Sequence, residues 1–345
     1  MLSNFWNTAY PIIIAILFFE LIIIVHEGGH FAAARMMGIK VNEFSIGMGP
    51  KLFQINKKGT KYTLRLILFG GYCQMEGEDE ESDDDNSFAK KRVIQRIFVV
   101  AAGAVMNLIL GLLITAIMVG TGNLVGTTRV AKMDDNAVSA SVLKPNDIIK
   151  SIDGVRVYCP SDITTGLSRS ADNKIDMTVI RDGKEKKLVV PFDMEEYEGH
   201  NFIKMDFWLY GEDKTVGNVI VASAKEWVSY ARTVFLSVHD IIVGRFGLSD
   251  LSGPVGTVSV VSSAVKSGMY SMLRIMALLT INIGLFNLFP IPALDGWRLF
   301  LLIFEGLFKK TLPQKWEWAI NSVGLVLLLG FMSIITFSDL TKLFR

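Results

Sequence analysis

The 345-residue chain has almost no net charge, because 35 lysines and arginines offset 34 aspartates and glutamates. It therefore lacks the basic excess with which proteins neutralise the phosphates of nucleic acid. Nucleic acid is not expected as a partner. Cysteine and histidine are also scarce, with two and four residues. Two histidines placed at a metal-ligand spacing are therefore a specific signal.

Apolar residues make up half of the chain and are concentrated in long runs. Four stretches, 10–37, 94–119, 271–289 and 318–337, are long enough to cross a bilayer core of about 30 Å as helices. The first differs from a cleaved secretory signal, because residues 1–10 contain no lysine or arginine and no small-residue cleavage site follows. We expect a multi-pass membrane protein whose first helix is retained.

The distribution of lysine and arginine predicts the orientation in the membrane. These residues crowd the loop 35–92 and recur at 309–315, so both regions are expected in the cytoplasm. Both chain termini and residues 120–270 are then extracytoplasmic. Cys73 and Cys159 would lie on opposite sides of the membrane, so no intramolecular disulfide is expected.

The segment after the first helix alternates apolar and polar residues in VNEFSIGMGPKLFQI and TKYTLRLILFGGYCQMEGE, with glycines and a proline between them. This pattern predicts a hairpin-rich sheet that enters the cytoplasmic face of the membrane. The acidic run EGEDEESDDDNSFAKKR favours a solvated linker, with a second cation site as the alternative. In the second helix, the small residues 101–104 favour close helix packing, and Asn107 favours an interhelical hydrogen bond.

Residues 124–192 change to short β-rich pieces, with a hairpin signal at Asp182-Gly183. The string SVLKPNDIIKSIDGVRV resembles the core of a PDZ domain, a fold that binds extended peptides beside a strand edge. A generic small β domain is the alternative. An amphipathic helix is predicted within 215–250, along the outer membrane surface. Its His239 is expected at the protein surface rather than on a metal.

The predicted fold is a multi-pass α-helical membrane protein with about four transmembrane helices, a membrane-associated β-hairpin sheet and an extracytoplasmic PDZ-like α+β domain. The predicted segments are the first transmembrane helix (1–38), the β-loop region and acidic linker (39–92), the second transmembrane helix (93–120), the PDZ-like domain (121–198), the amphipathic helical region (199–270) and the last two transmembrane helices (271–345).

The stretch IIIVHEGGH carries the chemistry. His26 and His30 are four residues apart, so on a helix both imidazoles project from one face and can hold a tetrahedral cation. Glu27 beside them matches the HExxH pattern, in which the carboxylate takes a proton from a water that the metal activates. Two structural histidines are the alternative. That alternative must place ionisable groups in hydrocarbon, where each charge costs about 2.5–3.5 kcal/mol.

A catalytic zinc has three protein ligands and one open position. Asp295, in NLFPIPALDGWRLF, is the candidate third ligand, and a plain Asp-Gly turn is its alternative. Pro290 and Pro292 break the helix there and leave Asn287 for other partners. Zn²⁺ is the expected cofactor because of the ligand types.

A membrane substrate imposes a further demand, because a helix hides its peptide bonds within its own hydrogen bonds. A strand edge can replace those bonds while the substrate unwinds. The candidate edge is the loop around Gly70 and Gly71, with Tyr72 and Gln74 as further substrate-binding residues.

These motifs together resemble the site-2 protease family of intramembrane zinc metalloproteases, specifically the bacterial RseP-type members with one PDZ domain. The matching strings, in order along nearly the whole chain, are HEGGH, FGGYCQMEGE, AAGAVMN, the PDZ-like segment, LSGPVG and NLFPIPALDG.

The resemblance implies regulated intramembrane proteolysis in the bacterial plasma membrane. The substrates would be single-pass proteins such as anti-sigma factors or remnant signal peptides, already cut outside by an upstream site-1 protease. Asn287 and the FGGYCQ loop would hold the unwound substrate, and the PDZ-like domain would exclude untrimmed proteins by size. Membrane lipid would be the other partner.

The chain departs from this family at two positions: Gly28 replaces a bulky residue, and Trp297 replaces a second glycine after the Asp-Gly pair. Neither change removes a ligand or the base, so an active enzyme is expected. Two rival functions are a non-catalytic scaffold, which the intact ligand set disfavours, and a metal transporter, which would need ligands along a path. Glu20, two helical turns before Glu27, either helps water to reach the site or is a neutral or paired residue.

Overall fold

A computed structural model describes residues 2–78, 80, 82–170, 172–197, 200–245, 247 and 251–343. Asp79 and Glu81 of the predicted acidic linker lie outside the described residues, as do the predicted segment boundaries 198 and 199. The chain forms two compact units, Met1–Leu113 with Ser237–Arg345, and Ile114–Leu236. In chain order the elements are α1 (Leu2–Met36), β1 (Val41–Lys57), β2 (Thr60–Met75), α2 (Val93–Thr121), β3 (Val125–Met133), β4 (Ile148–Ile152), β5 (Val155–Arg156), α3 (Pro160–Arg169), β6 (Lys174–Arg181), β7 (Lys184–Pro191), β8 (Met194–Tyr197), β9 (His200–Ile203), β10 (Phe207–Glu212), α4 (Val216–Ile242), α5 (Pro254–Lys266), α6 (Met269–Phe286), α7 (Asp295–Phe308) and α8 (Gln314–Leu343).

Among the described residues, four helices are long and apolar enough to cross a membrane, as the sequence predicts. The spans are Ala9–Met36 in α1, Val93–Thr121 in α2, Met269–Phe286 in α6 and Lys315–Lys342 in α8. Many of their aliphatic side chains are exposed on the protein surface. Exposed apolar surface on this scale is stable in lipid rather than in water. The chain is therefore a membrane protein.

The long strands β1 and β2 pair antiparallel and fold back on one another. Residues 51–57 pair with 60–65, whereas residues 43–46 pair on one side with 61–64 and on the other with 71–74. The chain bends at Gly47, whose φ of 80° favours glycine and where a Cβ atom would lie 2.7 Å from the Ile67 carbonyl oxygen. Residues 43–46 are thus central, and residues 71–75 form an edge of this sheet.

Arg65 crosslinks the interior of the same sheet. Its guanidinium donates hydrogen bonds to Glu43 Oε1 at 2.8 Å, to Tyr72 Oη at 2.6 Å and to Ser45 Oγ at 3.0 Å. A further bond of 2.7 Å reaches the Gly49 carbonyl oxygen. Charge-assisted bonds of this kind are stronger than neutral ones. Arg65, which lies on the strand beyond residues 43–46, therefore ties the edge strand to both of these strands through Tyr72.

One hydrophobic core joins the C-terminal residues of α1, the sheet, α2 and α7. Its members are almost fully buried. They include Ala33, Ala34, Val41, Cys73, Met75, Val99, Val100 and Leu302. Burying this apolar surface contributes roughly 25 cal/mol per Å². Because α1, the sheet, α2 and α7 all contribute side chains to this core, its packing fixes their positions relative to one another.

The second unit is built on a sheet with strand order β10, β3, β4, β6, β7, in which β5 also pairs with β4. Its core contains Leu143, Ile149 and Ile152 from the string that resembles a PDZ signature. Asp182 and Gly183 have φ of 54° and 74° and form the turn between β6 and β7. Cys159 is a free buried thiol whose pKa is raised by burial to about 12.

The motif LSGPVG forms the start of α5 and receives a carboxylate from α8. Asp339 is buried and its Oδ2 accepts a hydrogen bond of 2.8 Å from the Gly256 backbone N–H. A Cβ atom on Gly253 or Gly256 would lie 2.8 Å or 3.0 Å from the Asp339 carboxylate. The two glycines therefore leave room for this carboxylate at a helix N-terminus, where negative charge is favourable.

We predict that Asp339→Leu lowers the free energy of unfolding by about 1–3 kcal/mol, because it leaves the partly buried Gly256 N–H without an acceptor. The measurement is thermal unfolding of the purified protein in detergent. Asp339→Asn is the control, since its amide oxygen can still accept the bond. Equal unfolding midpoints for Asp339→Leu and the unchanged protein would contradict this account.

Candidate metal centre

Three side chains from two distant segments meet at one point. His26 Nε2 lies 2.9 Å from Asp295 Oδ2, and His30 Nε2 lies 3.1 Å from the same oxygen. The two Nε2 atoms are 3.2 Å apart. Asp295 is the first residue of α7 and follows His30 by 265 positions. Within the described part of the chain, this is the one group of three or more histidine, cysteine, aspartate or glutamate side chains that lie close enough to share a metal ion.

The donor set fits zinc. Zinc binds imidazole nitrogen at about 2.0–2.1 Å and carboxylate oxygen at about 2.0–2.2 Å, so the corners of its tetrahedron are roughly 3.3–3.5 Å apart. The three separations of 2.9, 3.1 and 3.2 Å are slightly shorter and need only a small outward shift. Two imidazoles and one carboxylate also match the composition of catalytic zinc sites, which keep one position open.

The orientation of His30 comes from α2. Its Nδ1 lies 2.9 Å from the Val99 carbonyl oxygen. A carbonyl only accepts, so Nδ1 carries the ring proton and Nε2 keeps a lone pair for a metal. A Cβ atom on Gly103 would lie 2.3 Å from His30 Nε2, so glycine is required there. The small-residue segment of α2 thus makes room for an imidazole, in addition to the helix packing expected from the sequence.

The predicted base lies beside the strand edge. A Cβ atom on Gly71 would lie 3.5 Å from Glu27 Cγ and 2.8 Å from the Ser45 carbonyl oxygen. The backbone N–H of Cys73 faces the Glu27 carboxylate. Because glycine has no side chain, the edge strand and the helix that carries Glu27 approach closely. The structure therefore brings Glu27 and residues 71–73 together.

Two ion pairs hold the helix that carries Asp295. One turn after Asp295, Arg298 Nη1 donates to Glu78 Oε1 at 2.7 Å, and Arg298 also bonds the Glu78 carbonyl oxygen. Arg96 of α2 pairs with Glu305. A Cβ atom on Gly296 would lie 2.0 Å from the Phe289 carbonyl oxygen, so the Asp-Gly sequence is a steric requirement. Sequence reasoning missed both arginine contacts, since neither has a local pattern.

Several other residues named in the sequence analysis lie apart from the cluster of His26, His30 and Asp295. Asn287 ends α6, and its side chain makes no hydrogen bond to Glu27 or to the three clustered residues in the described structure. Gln74 is exposed on the edge strand. His239 has a side chain 61% exposed and lies 3.4 Å from Asp240, as a surface histidine would. Glu20 is buried near the backbone of Gly47.

Comparison with known proteins identifies the class of enzyme. Residues 14–331 match peptidase family M50. A candidate zinc metalloprotease of Clostridium perfringens is 36% identical over 333 residues, which cover 95% of this chain and 98% of that protein. The regulator of sigma-W protease RasP of Bacillus subtilis is 27% identical over 417 residues, covering 96% of this chain and 99% of that protein. This chain belongs to peptidase family M50, the site-2 protease family, and is a zinc metalloprotease.

The two adjacent glycines of the HEGGH motif have opposite surroundings. A Cβ atom on Gly28 would meet no atom within 4 Å, whereas one on Gly29 would lie 2.5 Å from the Ala102 carbonyl oxygen. Gly28 therefore faces open space, and Gly29 is where α1 and α2 come into contact.

We predict that Gly28→Ala raises helix stability by about 1 kcal/mol, since alanine is the better helix former. Gly29→Ala should instead lower stability by about 1–3 kcal/mol, because the added methyl overpacks the α1–α2 contact. Thermal unfolding in detergent, with zinc content measured on the same samples, distinguishes the pair. Equal effects of the two substitutions would show that the two sites do not differ in packing.

Proposed function

We propose that this chain is an RseP-type intramembrane endopeptidase that cuts single-pass membrane proteins within their transmembrane segment. Its substrates would be anti-sigma factors or remnant signal peptides, already cut outside by an upstream site-1 protease. The observation that carries the proposal is the meeting of His26, His30 and Asp295 within an apolar helix bundle. The likeness to RasP, named as a regulator of sigma-W protease, supports the same function.

In this proposal His26, His30 and Asp295 hold zinc, and Glu27 is the general base. Bound zinc supplies a Lewis acid that polarises the scissile carbonyl and lowers the pKa of water towards about 7. Glu27 accepts the proton of the attacking water and passes it to the nitrogen of the departing amine. The position of Glu27, one residue from His26 and facing the edge strand, suits both proton transfers.

The substrate would bind as an added strand along residues 71–75. An edge strand presents backbone donors and acceptors that can replace the hydrogen bonds lost when a helix unwinds. Gly71 lets this edge approach Glu27, so an added strand would pass close to the three clustered side chains. Gly70, Tyr72 and Gln74 belong to the same surface, and Asn287 would contact the substrate from the end of α6.

The proposed arrangement in the membrane follows from charge and domain composition. The basic residues of 35–92 and 309–315 favour a cytoplasmic location of these loops, with both termini outside a bacterial plasma membrane. The second unit would then be an extracytoplasmic PDZ-like domain that excludes untrimmed proteins by size. The burial of Leu143, Ile149 and Ile152 in its core supports the PDZ-like fold rather than the size exclusion itself, which rests on the resemblance. Membrane lipid would surround the exposed apolar faces of the four spans.

We predict that Glu27→Gln keeps one zinc per chain and lowers the rate of cleavage about 10²–10⁴-fold, because only proton transfer is lost. The assay uses purified protein in detergent, with zinc measured by elemental analysis and cleavage of a membrane-protein substrate followed by mass spectrometry. His30→Ala is the control and should lose zinc and cleavage together. Unchanged cleavage by Glu27→Gln would exclude Glu27 as the base, whereas absence of cleavage by the unchanged protein would favour a scaffold or a transporter.

The sheet offers a matched test of strand addition, since its two edges carry exposed glutamines, Gln74 on 71–75 and Gln54 on 51–57. A photo-crosslinking amino acid replaces either one in the Glu27→Gln protein. We predict crosslinking of a bound substrate from position 74 and little from position 54. Mapping the crosslinked residues by mass spectrometry checks this. Equal crosslinking from both positions would contradict binding at the 71–75 edge.

A further inference from the structure

Asn107 is a fully buried amide of α2 that lies beside His26. Its Nδ2 is 3.4 Å from His26 Nδ1, and its Oδ1 is buried with no hydrogen-bond partner among the described residues. Leaving a buried polar atom unpaired is energetically costly. An apolar residue would avoid this cost. A buried amide at this place therefore requires an explanation in terms of its neighbour.

One face of α2 serves both imidazoles. Val99, Gly103 and Asn107 follow at intervals of four residues and so lie on one side of the helix. The Val99 carbonyl accepts from His30 Nδ1, and Gly103 leaves space for the ring of His30. Asn107, two turns from Val99, is in the corresponding place for His26. The Nδ1 atom of each ring thus faces a polar group on the same side of α2.

The direction of the hydrogen bond follows from which nitrogen faces the cluster. His26 directs Nε2 at Asp295 and at His30 Nε2, so Nε2 is the atom that would give its lone pair to zinc. The ring proton of a neutral imidazole is then on Nδ1, which needs an acceptor. A 180° rotation about the Cβ–Cγ bond of Asn107 exchanges its amide oxygen and nitrogen. That rotation supplies the acceptor and gives the unpaired oxygen a donor.

We infer that Asn107 is a positioning residue whose Oδ1 accepts the Nδ1 proton of His26 and so holds Nε2 free for zinc. This inference rests on the proposed function, because it concerns the same zinc ligands. Partners of this kind fix the tautomer and orientation of metal-binding histidines, and their loss typically lowers metal affinity 10–100-fold. The opposite arrangement, with the amide donating to Nδ1, leaves the proton on Nε2, where it blocks the lone pair.

The two arrangements give opposite results for Asn107→Asp. A carboxylate can only accept, so it should replace the amide if Asn107 accepts from Nδ1, and should fail if Asn107 donates. Asn107→Leu, with similar size and no polar group, should lose the interaction in either case. Asn282→Leu is the matched control, because it removes another amide with a buried unpaired oxygen, on α6 rather than beside His26.

The experiment measures zinc affinity of the full chain in detergent by competition with a chelator of known affinity. We expect Asn107→Leu to bind zinc about 10–100-fold more weakly, with Asn107→Asp and Asn282→Leu near the unchanged protein. The visible spectrum of the cobalt-substituted proteins provides a second readout. Asn107→Asp should keep the four-coordinate bands, and Asn107→Leu should alter them. Thermal unfolding of the metal-free proteins shows that each variant folds.

Unchanged zinc affinity in Asn107→Leu, or equal loss in the Leu and Asp variants, would overturn the inference. Those results are distinct from failure of the proposed function. If the unchanged protein bound no zinc, the ligand assignment itself would fail, whereas zinc binding by the unchanged protein and by Asn107→Leu alike would remove only the role of Asn107.

Discussion

The structure depends on one shared oxygen atom, Asp295 Oδ2, which lies 2.9 and 3.1 Å from the Nε2 atoms of His26 and His30. A negative oxygen inside an apolar bundle is costly unless it has partners of opposite charge or a cation. Relieving this cost requires α1, which carries the histidines, and α7, which carries Asp295, to lie together. The sheet core and the Arg298–Glu78 pair then hold both elements at the separation that this contact requires.

The second helix, α2, positions the imidazole ring of His30. A histidine binds metal through one nitrogen, and the other nitrogen sets the tautomer and the plane of the ring. The Val99 carbonyl does this for His30, and Gly103 gives the ring its space. Two residues outside the candidate metal cluster thus set the orientation of the His30 ring and leave space for it. The same helix packs closely against α1 at Gly29.

Much of this arrangement could be predicted from the sequence, because the relevant signals are local. The long apolar runs predicted the membrane spans, and the four-residue spacing placed His26 and His30 on one face. Asp295 was predicted because a catalytic zinc requires a third ligand. The double pairing of residues 43–46 was not predicted, since alternation shows a strand but not its neighbours. Backbone hydrogen-bond partners such as the Val99 carbonyl can belong to any residue type, so no sequence pattern predicts them.

The distance along the chain between the ligands has a consequence for biosynthesis. Asp295 follows His30 by 265 positions, so a ribosome makes the HExxH helix long before it makes the proposed third ligand. A nascent chain, or one truncated before α7, holds two imidazoles and no shared carboxylate. Until α7 has been made, the chain therefore lacks one of the three side chains that the proposed zinc site requires.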